Sequence, residues 1–346
     1  MSVDVAAARR RESRRALRLV SLLFLAVLVM LAVRVLLGDY TVTIPDLLRI
    51  LGGQTIPGAS FIVLHDKLPR ALLGAGVGMC FGLSGALFRR VLRNPLASPD
   101  ILGISHGAAA GAVLGMAFLG MRGAGMVVTA LIGAFAAAAL ITVASTSLGR
   151  GGGAAGIVGE RFLLAGIGVA ALGGAVVSFV MTRLSAQSAQ DAAVWTTGSL
   201  NLATWDRVLL VAVVLVLGVP AALAAHRALE PAELGAELAS ALGSRPALTS
   251  AAALGLGVVL AAVATAASGP LAFVALLSTP IAAALRGGRV SLPASAAVGA
   301  LIVVGADMIG AELLGDARLP AGVVTGAVGA PVMLWLLIRQ RRGARS

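Results

Sequence analysis

The chain has few of the side chains on which soluble chemistry depends. Of its 346 residues one is cysteine, one tyrosine and three histidine, and Lys67 is the sole lysine. Charged residues make up 12%, against about a quarter in an average soluble domain. The lone Cys80 excludes an intrachain disulfide and a multi-cysteine metal site, and within an apolar run it reads as packing. His65, His106 and His226 lie in separate segments without metal-ligand spacing. A nucleotide-binding Gly-Lys-Ser/Thr loop needs its lysine after glycine to hold phosphates, but Lys67 follows Asp66. The run Gly151 to Gly153 lacks that lysine, and Gly82-Leu83-Ser84-Gly85 sits in an apolar stretch without a base. The expectation is a protein that is not an enzyme, with no ATPase site of its own, no directly bound cofactor and no metal.

Hydrophobic residues are abundant, at 59%, and the mean hydropathy is +0.99. Apolar runs near 17–37, 69–90, 100–120, 125–148, 162–183, 208–226, 248–268, 271–285, 292–313 and 320–338 can each be read as a membrane-crossing helix. No ten-residue alternation of apolar and polar positions supports a β-barrel. The predicted fold class is therefore all-α and polytopic, with ten spans. The run 271–285 is short enough to be broken or tilted. The first run is too long for a signal-peptide core and has no clear cleavage site after it, so it reads as a retained span. The net charge of +12 then has a topological cause and not a nucleic-acid one. With both termini inside, about 19 of the 27 basic residues fall on the cytoplasmic side, as the positive-inside rule requires. The organisation is a basic tail at 1–16, a membrane domain at 17–338 and an inner tail at 339–346.

Segments 38–67, outside, and 227–247, inside, are long enough to carry function. The first has Pro45, Asp46 and Pro57 and reads as short irregular or interfacial chain. In the second, Glu230-Pro231 opens a helix, Leu234, Leu238 and Leu242 repeat every fourth residue, and Gly243 stops it. Gly74, Gly78 and Gly82, and likewise Gly107, Gly111 and Gly115, form small-residue faces for close helix packing. Asp307 is the main acid within a span, so a proton-coupled transporter is one reading. A permease driven by a separate motor is another, and a membrane scaffold without transport a third.

The stretch from Lys67-Leu68-Pro69-Arg70 continues through Leu83-Ser84-Gly85-Ala86 and Asn94-Pro95-Leu96-Ala97 with Pro99. It then reaches Leu102-Gly103 with Ser105, Gly107 and Ala108. This series resembles the permeases of iron-siderophore, haem and cobalamin ABC importers. Further matches follow in order: Leu164-Ala165-Gly166, Trp195, Gly198-Ser199-Leu200, Trp205, Gly269-Pro270, Leu319-Pro320, Gly322 to Thr325 and Gly329-Ala330-Pro331.

The resemblance implies a type II importer permease that pairs with a second permease chain, two ATPase subunits carrying ATP-Mg and an extracytoplasmic binding protein, in the bacterial inner membrane. It implies that the stretch containing Leu234, Gly235, Glu237, Leu238, Ala239, Leu242 and Gly243 is the ATPase-coupling helix. It also implies that Lys67 and Arg70 dock the binding protein. Iron-chelate importers are the most numerous of the family, which favours a ferric siderophore over haem or cobalamin. The sequence departs from the family at Thr279-Pro280-Ile281, where a Pro-His or Pro-Gln pair is usual. That change is compatible with one half of a heterodimeric permease.

Overall fold

Helices account for nearly all of the regular structure in the computed structural model, which describes residues 5–38, 40–147, 155–231, 236–241, 243–313 and 319–343. Each predicted span coincides with a helix. These are α1 (Val5–Leu36), α4 (Leu68–Leu92), α5 (Ile104–Leu119), α6 (Ala124–Ser147), α7 (Ala155–Met181), α9 (Trp205–Ala228), α11 (Pro246–Ser268), α12 (Val274–Leu285), α13 (Leu292–Met308) and α14 (Ala321–Gly343). Among the described residues, seven helices are long and apolar enough to cross a bilayer on length and composition, while those of spans three, eight and ten are shorter apolar helices.

At 1.5 Å per residue, α5 rises about 24 Å and α12 about 18 Å, less than the ~30 Å hydrocarbon core. Irregular chain precedes each one, at 93–103 and 269–273. Irregular backbone is tolerated at membrane depth where it is buried in protein or lines a water-filled cavity. Ala97, Leu102 and Leu271 are accordingly fully buried.

The external segment 38–67 is more regular than its prolines suggest. Thr43 caps α2 (Ile44–Leu51), its hydroxyl accepting from Asp46 N, and Pro45 fills a first-turn position where no N–H is needed. After α3 (Ala59–Ile62), a π-helical turn (Val63–Lys67) leads without a break into α4, giving a continuous helix from Ala59 to Leu92. The sequence also hid α8 (Ala186–Thr197), a short polar helix capped by Ser185.

This long helix is the axis of the bundle. α4 packs against α9, α11, α12 and α13, while α5 packs against α6 and α7, and α1 leans on α13 and α4. Phe81, Phe88, Leu73 and Leu87 of α4 are fully enclosed. The glycine faces explain the close approach. A Cβ on Gly78 would collide with the Gly299 backbone, and one on Gly82 with Ser295 O. Gly107 and Gly111 likewise face Gly133 and Thr129 of α6, and Gly74 and Gly115 face the Leu200 and Thr129 side chains. Lipid supplies no hydrophobic drive between helices, so backbone proximity and its dispersion energy must do so.

Candidate functional site

Three constructions from distant parts of the chain are candidates for function. The first is an ion cluster at the outer ends of α1, α4 and α13. Arg70 forks onto Asp307, with Nη2 to Oδ1 at 2.8 Å and Nε to Oδ2 at 2.9 Å, and Arg34 Nε reaches Oδ2 at 3.0 Å. Asp307 is 2% exposed. Both of its oxygens accept from guanidinium donors, so it is a counter-ion tying three helices together and not an open proton site. Arg34 escaped the sequence reading, although an arginine inside an apolar span signals a partner within the bundle.

Lys67 caps a neighbouring strut. Its Nζ donates to Leu37 O at 2.6 Å and Tyr40 O at 2.5 Å, just past the end of α1, where helix carbonyls lack intrahelical partners. Lys67 is only 5% exposed. The two cations expected to dock a binding protein are thus engaged within the chain, where they frame the outer end of α4. Trp205 Nε1 donates to Leu64 O in the π-helical turn at 2.8 Å, which fixes the start of α9 to the same corner. Lys67→Met strands two carbonyls and is expected to cost about 1–3 kcal/mol. Denaturant titration in mixed micelles, read by tryptophan fluorescence, measures this.

The second construction is a knot where motifs far apart in sequence meet at the outer side. Ser199 N donates to Ser268 O at 2.8 Å, and Gly322 N to Gly198 O at 3.0 Å. A Cβ on Gly198 would strike Pro270 O, one on Gly269 would strike Trp195 O, and one on Gly322 would strike Thr197 O. Phe273 then enters α12 in the left-handed region at φ 65°, an uncommon state for a bulky residue, with its ring against Gly329.

The third is the inner loop between α4 and α5. Arg93 ends α4 in the left-handed conformation. Asn94 Oδ1 accepts from Leu96 N at 2.8 Å, making an Asx turn. Asp100 Oδ1 accepts from Ser105 Oγ at 2.7 Å, and Gly103, at φ 77°, lies against Gly166 and Ala170 of α7. Those contacts account for the Asn-Pro-Leu-Ala string and the glycine after it.

At Thr279-Pro280 the proline is accommodated locally. Pro280 has no N–H, so Leu276 O loses its helical donor, and Arg89 Nη2 from α4 supplies one.

On the inner connection, α10 (Ala236–Ala241) lies between α9 and α11. Gly243 at φ 79° closes it, with Gly243 N donating to Ser240 O and Ser244 N to Ala239 O, the paired bonds of a Schellman end. Leu238 is 59% exposed and Ala239 is buried. Leu234, Gly235, Leu242 and the side chain of Glu237 lie outside the described residues.

The model of the FecCD transport family matches residues 23–339. This chain belongs to the FecCD transport family. It is 31% identical over 306 residues to the ferric enterobactin transport system permease protein FepG of Escherichia coli, covering 88% of this chain and 91% of that one. It is 36% identical over 326 residues to the achromobactin transport system permease protein CbrC of Dickeya dadantii, covering 93% and 91% respectively. A solved chain described as a metal-chelate type ABC transporter in an inward-facing conformation superposes with a TM-score of 0.80 at 25% identity. That match covers 93% of this chain and 99% of the other. This FecCD protein is therefore a permease subunit of an ABC importer with the all-α polytopic fold of that class.

Proposed function

We propose that this FecCD permease carries a ferric siderophore across the bacterial inner membrane, as one half of a permease dimer driven by two separate ATPase subunits. The names of its relatives support the substrate class, since FepG and CbrC are permeases of ferric enterobactin and achromobactin transport systems. The observation that carries the coupling part is α10. It is a six-residue helix fixed at its end by Gly243 and presenting Leu238 outward on the side where the arginines collect. ATP with Mg acts on the partner subunits, and this chain binds no cofactor. Movement of the ATPase subunits on nucleotide binding pushes α10 and, through α9 and α11, tilts the bundle around α4. The outer face receives a binding protein, and Lys67 and Arg70 contribute by holding that end of α4 in shape.

Leu238→Glu tests the coupling. In proteoliposomes holding the complete importer, uptake of ferric siderophore is expected to fall at least ~10-fold, consistent with truncation of one central apolar contact. The variant permease is expected to keep its wild-type unfolding profile, because Leu238 is exposed. Uptake at the wild-type rate would remove α10 from the coupling path.

A further inference from the structure

A cavity of about 660 Å³ opens at the inner end of α1, walled by Glu12, Arg15, Ala16 and Leu19 on one side and by Leu285, Arg286, Gly287 and Arg289 on the other. Glu12, Arg15, Ala16 and Leu19 follow helical i, i+3, i+4, i+7 spacing, so one face of α1 supplies that wall. The opposite wall is the end of α12 and its connection to α13. Three arginines face one acid. Glu12 pairs with Arg289, and among the described residues neither Arg15 nor Arg286 has an ion-pair partner.

The depth of the cavity follows from the length of α1. From Glu12 to Leu36 the helix has 25 residues, about 37 Å, which exceeds the ~30 Å hydrocarbon core. Its first turns therefore stand among the inner headgroups. Leu22, seven residues beyond Arg15 and on the same face of α1, is 61% exposed, and Leu285 on the opposite wall is 53% exposed, so this flank of the bundle faces acyl chains. A guanidinium pair above a leucine floor matches a phosphodiester above its acyl chain. Arginine forks bind phosphate oxygens in pairs, and basic pockets between spans on the cytoplasmic side are the expected headgroup sites.

We propose that this groove binds the phosphate of an anionic phospholipid of the inner leaflet, held by Arg15 and Arg286 with its chain along Leu19 and Leu285. The Glu12–Arg289 pair pins α1 to the α12–α13 connection and sets the width of the groove. A bound lipid would bridge the most peripheral helix to the two helices at its back.

Native mass spectrometry of the full-length permease tests this, titrating phosphatidylglycerol against phosphatidylcholine. The wild type is expected to retain phosphatidylglycerol preferentially. Arg15→Ala with Arg286→Ala should weaken that retention about tenfold or more, and the corresponding Lys pair should keep most of it. Removing two inner charges elsewhere, by Arg14→Ala with Arg227→Ala, should leave it near wild type. Millimolar inorganic phosphate should not displace the lipid. The proposal is overturned if the Arg15/Arg286 variant retains phosphatidylglycerol like the wild type, or if the Arg14/Arg227 control loses as much. Equal retention of both lipids, or displacement by free phosphate, would also overturn it.

Discussion

Replacing Asp307 by alanine is expected to destabilise the protein by about 3–5 kcal/mol, the cost of leaving a buried charge partner uncompensated. The reason is geometric. Arg70 and Arg34 both aim guanidinium nitrogens at this one carboxylate, and their side chains are 13% and 6% exposed. Without it, two cations face each other inside the bundle. Asp307→Asn should do nearly as much harm, because an amide offers one acceptor oxygen and no charge. Removing the whole cluster, by Arg34→Met, Arg70→Met and Asp307→Leu together, should recover much of the stability, since apolar replacements of a complete buried ion cluster are often neutral or favourable. Denaturant titration in mixed micelles measures all three. A proton carrier behaves in the opposite way: Asp307→Asn would then leave the unfolding curve in place and abolish uptake.

Gly78→Val is expected to have the second largest effect. Its Cβ would lie on the carbonyl and carbon of Gly299, and Gly299 in turn lies on the carbonyl of Gly78. The obstacle is backbone on both sides, so no side chain can turn aside. α4 and α13 must separate over the stretch where Gly82 meets Ser295 as well. Overpacking a core costs about 1–3 kcal/mol in ordinary cases, and a backbone obstacle puts this variant at the upper end or beyond. Most of the variant should leave size-exclusion chromatography as aggregate. Gly168→Ala on α7 is the matched control, since nothing lies within 4 Å of its added Cβ. It should elute like the wild type and gain about 0.5–1 kcal/mol from helix propensity.

Much of this architecture can be read from periodicity and composition. Ten apolar runs, the arginine asymmetry, and the glycines at 74, 78 and 82 depend on local spacing, and local spacing survives in a single sequence. The stop at Gly243 was legible for the same reason, because a positive φ favours glycine. What was not legible depends on contacts between distant residues. Asp307 lies 237 positions from Arg70 and 273 from Arg34. Nothing in the sequence indicates that Lys67 turns inward to the carbonyls of Leu37 and Tyr40. Gly198, Gly269 and Gly322 are recognisable as family residues, yet only folding brings them to one knot.

Two short helices are illegible for a different reason. α2 and α8 are short and lie outside the apolar runs, although Thr43 with Asp46 and Ser185 with Ser188 supply capping signals at their starts.

The central claim is that this permease moves its substrate through the push of a separate ATPase on the α10 connection. Uptake of radiolabelled ferric siderophore into proteoliposomes measures it most directly, with the permease, its ATPase and its binding protein present and ATP supplied on the ATPase side. Uptake should require ATP and all three components, and should not change when the proton gradient is collapsed. Uptake that persists without ATP and follows the proton gradient would contradict the account.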